Sequence, residues 1–104
     1  MSWVPAGAVD DFPVGRGTRV ELREHRVAVF RIANDFYAIA DRCSHAEASL
    51  AEGELWGTDV ECPRHGSEFD LVTGEPRSLP ATTPVPTYGI KVEDGIVFLD
   101  VEGS

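Results

Sequence analysis

Short stretches of alternating apolar and polar residues run through most of the chain. Residues 18–23 alternate with period two, which predicts a half-buried strand, and residues 26–33 form a nearly continuous apolar strand. Residues 3–9, interrupted by Pro5, predict an edge strand. Further strands are predicted at residues 36–40, 53–57, 58–62, 68–71, 88–93 and 96–101, and one helical turn at 46–51. Short strands punctuated by turns are typical of an all-β barrel or sandwich.

Turn and breaker residues divide these stretches. Asn34-Asp35 and Asp94-Gly95 predict hairpin turns. Residues 75–87 contain four prolines and are therefore incompatible with a helix or a central strand. We expect this segment to be an ordered crossing that returns the chain from its middle region to the base of the fold.

Length and composition indicate one globular domain over residues 1–104. The apolar fraction is 42% and the charged fraction 26%, which is ordinary for a soluble protein. The sequence has no apolar run of about 18 residues and no basic start followed by an apolar stretch. We therefore expect a cytoplasmic protein that has no membrane segment.

The formal net charge of −9 is unevenly distributed. Residues 44–75 carry eight acidic residues and one basic residue, so this region holds seven of the nine net negative charges. Such a charge argues against nucleic acid and anionic membrane surfaces as partners. Two interpretations remain open: a face that attracts a basic protein partner, and a solvated surface that keeps the protein soluble.

Both cysteines of the chain are paired with histidines. Cys43 and His45 are two positions apart, Cys62 and His65 three, and sixteen residues separate His45 from Cys62. Without an export signal a disulfide is disfavoured, so the four side chains predict a metal centre. Two cysteines and two histidines can hold a 2Fe–2S cluster or one zinc ion.

Three other residues have plainer roles. We expect His25 to be a surface turn residue. Trp56 and Phe69 are predicted to be core aromatic residues beneath the metal-binding loops.

Cys43-x-His45 and Cys62-x-x-His65-Gly-Ser67 resemble the paired motif of Rieske iron–sulfur proteins, and the likeness extends over nearly the whole chain. It is strongest to the small Rieske-type ferredoxins of bacterial ring-hydroxylating oxygenases. The resemblance implies an all-β fold of three antiparallel sheets, with a cluster-binding subdomain at about residues 41–75. It also implies that the cysteines bind one iron, that the histidines bind the other, and that Ser67 donates a hydrogen bond to a bridging sulfide.

The resemblance further implies a one-electron carrier rather than an enzyme. It would pass electrons from a flavin-dependent reductase to a terminal oxygenase as a monomer that makes transient contacts. High-potential relatives carry an extra cysteine in each loop and a tyrosine at the position of Phe69. Their absence predicts a potential near the lower end of the Rieske range of about −150 to +300 mV. The alternatives are a subunit of a nitrite reductase-like complex, an iron–sulfur assembly protein, and a zinc-stabilised interaction domain.

Overall fold

The computed structural model describes residues 3–43, 48–64, 66–79 and 81–101, and in these segments nine strands form three antiparallel sheets. The strands are β1 (Trp3–Ala8), β2 (Arg16–Leu22), β3 (His25–Ile32), β4 (Asp35–Ala40), β5 (Leu55–Trp56), β6 (Asp59–Glu61), β7 (Glu68–Asp70), β8 (Gly89–Glu93) and β9 (Ile96–Asp100). Each sheet has three strands, in the orders β1-β9-β8, β2-β3-β4 and β5-β6-β7. The described segments also contain two 3₁₀ turns, Val9–Asp11 and Leu50–Glu52, and neither can span a membrane.

The middle sheet, β2–β3–β4, is covered on both faces. Side chains of successive residues in a strand point to opposite faces. In β3, Val27 and Val29 therefore belong to one apolar cluster and Ala28 and Phe30 to another, and all four are fully buried. This arrangement explains the nearly continuous apolar run in the sequence.

The two clusters are distinct cores on either side of the middle sheet. The cysteine-side core comprises Ala28, Phe30, Ile39, Cys43, Leu50, Val60, Cys62, Phe69, Leu71, Ala81 and Val85. The base core comprises Phe12, Val27, Val29, Ala38, Val97, Leu99 and Val101. Both cysteines thus lie on the same side of the middle sheet.

The base sheet, β1–β9–β8, closes the opposite side. Strand β1 is an edge strand, as predicted, and its register with β9 shifts between Pro5 and Gly7. The β8–β9 hairpin turns at Asp94-Gly95, where both residues have positive φ, 51° and 76°. Positive φ at both central positions is the geometry that an Asp-Gly pair favours in a two-residue hairpin, so this prediction is confirmed.

The proline-rich segment crosses from the small sheet, passes the end of the middle sheet and leads into β8 of the base sheet, so its predicted return to the base is confirmed. Near its start, Arg77 donates its amide to the Glu68 carbonyl over 2.6 Å, beside β7. Further on, the Pro86 carbonyl accepts from the Ala40 amide over 2.8 Å, at the end of β4. Between these contacts, Ala81 and Val85 are buried in the cysteine-side core.

Local details differ from the sequence-based predictions. The helical turn lies at Leu50–Glu52, later than residues 46–51. The β3–β4 turn is at Ala33–Asn34, where Ala33 adopts φ 55°, one residue earlier than predicted. His25 is half-buried at the start of β3, where its Nδ1 lies 3.2 Å from the Tyr88 hydroxyl, so the prediction of a surface turn residue is wrong.

Candidate metal centre

The second cysteine loop is the tip of the β6–β7 hairpin. The last ladder pair is Glu61 with Glu68, and Cys62 follows β6 directly. The loop closes through the Cys62 amide, which donates to the Ser67 carbonyl over 2.6 Å, and the Gly66 amide, which donates to the Cys62 carbonyl over 3.0 Å. Gly66 has φ +76°, a conformation for which glycine has no steric cost. The backbone of the loop is therefore fixed on both sides of Cys62.

The first cysteine loop leaves the end of β4 and is closed in a similar way. The Cys43 amide donates to the Ala48 carbonyl over 3.1 Å, and Arg42 and Ser49 form an isolated antiparallel bridge. One step further out, the Leu50 amide donates to the Asp41 carbonyl over 2.6 Å. Cys43 is thus held at the narrow base of a hairpin-like loop.

The two cysteines have the properties of structural metal ligands. Both are free thiols, Cys43 is 3% exposed and Cys62 is fully buried. Both belong to the cysteine-side core, which brings the two loops against the same apolar layer. Thiolates are soft ligands that suit iron–sulfur clusters and zinc, so this donor pair fits either group.

Ser67 is fully buried directly after the second cysteine loop. Its hydroxyl oxygen accepts the Ala81 amide hydrogen over 3.1 Å, which ties the loop to the proline-rich crossing. A hydroxyl that accepts in this way keeps its own hydrogen for donation. The position is consistent with the hydrogen-bond role expected for Ser67.

The two histidines of the motif, His45 and His65, lie outside the described residues. The structure describes the flanking residues that anchor the two cysteine loops. Among the described residues, Asp41 is a further candidate that has no sequence motif, and its buried carboxylate contacts the first loop. An acidic residue at a strand end gives no sequence signal that separates a buried anchor from a surface turn residue.

The two predicted core aromatic residues have different environments. Phe69 is fully buried in β7, beneath the loops, as predicted. Trp56 is 54% exposed, and its indole nitrogen donates to the Glu61 carboxylate over 3.1 Å, so its assignment to the core is wrong. Leu55 and Val60 form the neighbouring pair and occupy the inner face, which leaves Trp56 on the outer face of the small sheet.

Part of the acidic charge near the cysteine loops is paired. Arg77 is 2.8 Å from Asp70 and 3.3 Å from Asp59, so one guanidinium faces two carboxylates. Half-exposed pairs of this kind contribute little to stability. Their effect is to lower the net negative charge on this side of the small sheet.

A buried cysteine pair on two anchored loops, set on an all-β base, is typical of a small metal-binding protein. The sequence matches the family described as "Rieske [2Fe-2S] domain" over residues 2–89, and the chain belongs to this family. Its cofactor is accordingly one Rieske 2Fe–2S cluster, which favours iron over the zinc alternative. The predicted all-β fold of three antiparallel sheets is confirmed as well.

The relatives narrow the class further. The 3-phenylpropionate/cinnamic acid dioxygenase ferredoxin subunit of Escherichia coli (strain K12) is 43% identical over 102 residues, which are 97% of this chain and 95% of that protein. The solved ferredoxin of carbazole 1,9a-dioxygenase from Nocardioides aromaticivorans IC177 has a TM-score of 0.91 and 32% identity, and the match covers 96% of this chain and 98% of that one. A chain in the complex of reduced oxygenase and oxidized ferredoxin in carbazole 1,9a-dioxygenase has a TM-score of 0.90 and 38% identity, with 98% and 95% covered.

Proposed function

We propose that this protein is the ferredoxin component of a ring-hydroxylating dioxygenase system. It receives one electron from a flavin-dependent reductase and delivers it to a terminal oxygenase. The observation that carries the proposal is the burial of two free cysteines, Cys43 and Cys62, on two anchored loops against one apolar core. The kinship with dioxygenase ferredoxin subunits supports the choice of partners.

The proposed ligands are the two cysteines together with His45 and His65. Cys43 and Cys62 supply the thiolates to one iron, and the histidines supply imidazole nitrogens to the other. The spacing of the motifs supports this set, since each buried cysteine is followed by a histidine within three residues. When bound, the cluster accepts and releases single electrons.

The residues of the chain provide the environment for that exchange. The buried cysteine side keeps water from the thiolates, and Ser67 keeps one hydroxyl hydrogen available for a bridging sulfide. Four protein ligands saturate the two irons, so no coordination position is left for an organic substrate. The chain is therefore a carrier and not the oxygenating catalyst.

The proposed potential lies near the lower end of the Rieske range of about −150 to +300 mV. Phe69 has no hydroxyl that could donate a hydrogen bond to a ligand sulfur, and the surroundings are acidic. Both features disfavour an added negative charge. A potentiometric titration that gives a midpoint well above zero would contradict this assignment.

We also propose that the 104 residues form one domain, that residues 41–75 are its cluster-binding subdomain, and that the protein is a cytoplasmic monomer. Redox partners usually meet through small transient contacts, which a monomer of this size can provide. Sedimentation of the loaded protein at micromolar concentration measures the oligomeric state directly.

The first experiment is electron paramagnetic resonance of the purified protein before and after dithionite. We expect a silent oxidised sample and, after reduction, the low-average-g signal of a histidine-ligated 2Fe–2S centre. A stopped-flow assay with purified reductase and oxygenase then tests the carrier role. Failure to pass electrons between them, with an intact signal, would favour the nitrite reductase-like or assembly alternative.

His65→Cys tests the ligand assignment. A third thiolate adds negative charge to the centre, so the variant is expected to have a lower potential or to lose the cluster. His25→Cys is the matched control, because it makes the same replacement at a histidine outside the motif. An unchanged spectrum and potential for His65→Cys would exclude His65 as a ligand.

A further inference from the structure

The Asp41 side chain is fully buried at the point where β4 leads into the first cysteine loop. Its Oδ1 accepts the Ser49 hydroxyl over 2.7 Å and the Ala51 amide over 3.0 Å. Its backbone is engaged as well: the Asp41 amide donates to the Arg26 carbonyl over 2.9 Å, and its carbonyl accepts from Leu50. One residue thus joins β3, the end of β4 and the returning side of the loop.

The environment of the second carboxylate oxygen of Asp41 destabilises the folded state. Oδ2 is buried and has no hydrogen-bond donor, and the half-exposed Arg26 guanidinium lies 3.6 Å from it. A buried carboxylate with one oxygen unsatisfied opposes folding, and a long ion pair compensates it only in part. A neutral side chain with one acceptor oxygen could make the same two hydrogen bonds at lower cost. The negative charge itself therefore calls for an explanation.

The Asp41 carboxylate is held at the base of the first cysteine loop by Ser49 and Ala51. Asp41 is two residues from Cys43, so the two α-carbons are at most about 7.6 Å apart. In a poorly solvated interior, charges at such distances interact far more strongly than they do in water. An anion fixed there disfavours the arrival of an electron on the neighbouring cluster.

We propose that Asp41 is a positioning residue for the cluster: its carboxylate fastens residues 49–51 to the start of the first cysteine loop, and its charge lowers the reduction potential. This inference rests on the proposed function, since it takes Cys43 as a cluster ligand. It adds a role to a residue outside the Cys-x-His motifs. Ser49 is part of the same device, because its hydroxyl is the shortest side-chain contact of Oδ1.

Four variants of the loaded protein separate these roles. Asp41→Asn keeps an acceptor oxygen and removes the charge, and Asp35→Asn makes the same change at the exposed first residue of β4. Six residues of extended strand place the control position about 20 Å away. Ser49→Ala removes one hydrogen bond from the carboxylate, and Ser49→Thr restores a hydroxyl. The measurements are the midpoint potential, the g-values of the reduced signal, and the rate of iron release to a chelator.

We expect Asp41→Asn to favour the reduced form by roughly tenfold, an upward shift of about 59 mV for one electron. Asp35→Asn is expected to leave the potential unchanged. Ser49→Ala should release iron roughly tenfold faster than the unaltered protein, and Ser49→Thr should return the rate to within about twofold. If Asp41→Asn does not load a cluster, faster iron release from Ser49→Ala that Ser49→Thr reverses supports the fastening role of Asp41, and a normal rate overturns it.

Unaltered potential and g-values in Asp41→Asn, together with normal iron release from Ser49→Ala, would overturn the proposal even if both variants melt at a lower temperature. Such a result would make Asp41 a stabilising residue only. The unaltered protein in the same series tests the proposed function separately. Absence of the Rieske signal from that sample would count against the proposed function. A normal signal, together with unchanged potentials and iron-release rates in the variants, would count only against the role proposed for Asp41.

Discussion

Replacing Gly74 with alanine is expected to detach the proline-rich crossing from the small sheet. Gly74 follows β7 with φ +79°, and an added Cβ would overlap the carbonyl oxygen of Val85. The carbonyl of Gly74 also accepts the Val85 amide over 2.9 Å, so the two backbones approach each other closely. No side-chain rotation can relieve an overlap between a Cβ and a backbone oxygen.

Two contributions set the magnitude of this effect. A left-handed conformation costs a non-glycine residue about 1 to 2 kcal/mol. Moving Val85 away loses a hydrogen bond worth about 1 kcal/mol and part of the burial of a valine side chain, worth about 1.5 to 3 kcal/mol. Val85 is 3% exposed, so most of that burial is at risk. The sum, about 3 to 6 kcal/mol, is comparable to the whole stability of a small domain.

Gly95→Ala provides the matched control. Gly95 has nearly the same φ, +76°, but no atom lies within 4 Å of its added Cβ. This variant should lose only the conformational part, about 1 to 2 kcal/mol. Urea unfolding followed by circular dichroism gives both values when the two variants share one slope. Equal losses in Gly74→Ala and Gly95→Ala would refute the role assigned to the Val85 contact.

Two further predictions concern the base of the fold. Burial raises the pKa of Tyr88 above its ordinary value of 10.0, so folding favours the neutral phenol. The stabilisation of the folded state by the neutral phenol is complete below about pH 10 and is lost as the pH rises through the folded-state pKa. In urea titrations at alkaline pH, the free energy of unfolding of Tyr88→Phe should therefore fall less steeply than that of the unaltered protein. An identical pH profile for the two proteins would contradict this prediction. The Lys91 ammonium lies 4.5 Å from the centre of the Trp3 ring and 5.8 Å from that of Phe98. Lys91→Met should cost about 0.5 to 1 kcal/mol in thermal unfolding, more than Lys91→Arg, which keeps the cation; equal losses would exclude the ring contacts as the cause.

The strands can be predicted from the sequence because each has a local pattern of apolar, polar or turn residues. The Asp94-Gly95 pair fixes its hairpin, and the apolar run of β3 indicated a strongly buried strand. The pairing of strands into three sheets has no such local signal, and its prediction came from the resemblance to a family. Only the structure shows why β3 is apolar on both faces, since this depends on two layers that are distant in sequence.

The errors have physical causes too. The aromatic side chain of Trp56 favours a core position, but Leu55 takes the inner position of this two-residue strand. Trp56 therefore lies outside, where it is hydrogen-bonded to Glu61. A lone histidine in a turn predicts a surface residue, and nothing in the sequence reveals the contact of His25 with Tyr88, sixty-three positions away. The burial of Asp41 is equally hard to predict from the sequence, since it depends on the closure of the first cysteine loop.

The division of the interior by the middle sheet bears on how the protein matures. Both cysteines contribute to one core, whereas the other core, around Val97 and Leu99, contains neither of them. We therefore expect a newly made chain that has not yet received iron and sulfide to keep its base half ordered while the loop half is less stable. Native-state hydrogen exchange of such apoprotein would find slow amides in β9 and fast ones in β6. The loops would then remain accessible to whatever delivers the cluster, on a scaffold that is already in place.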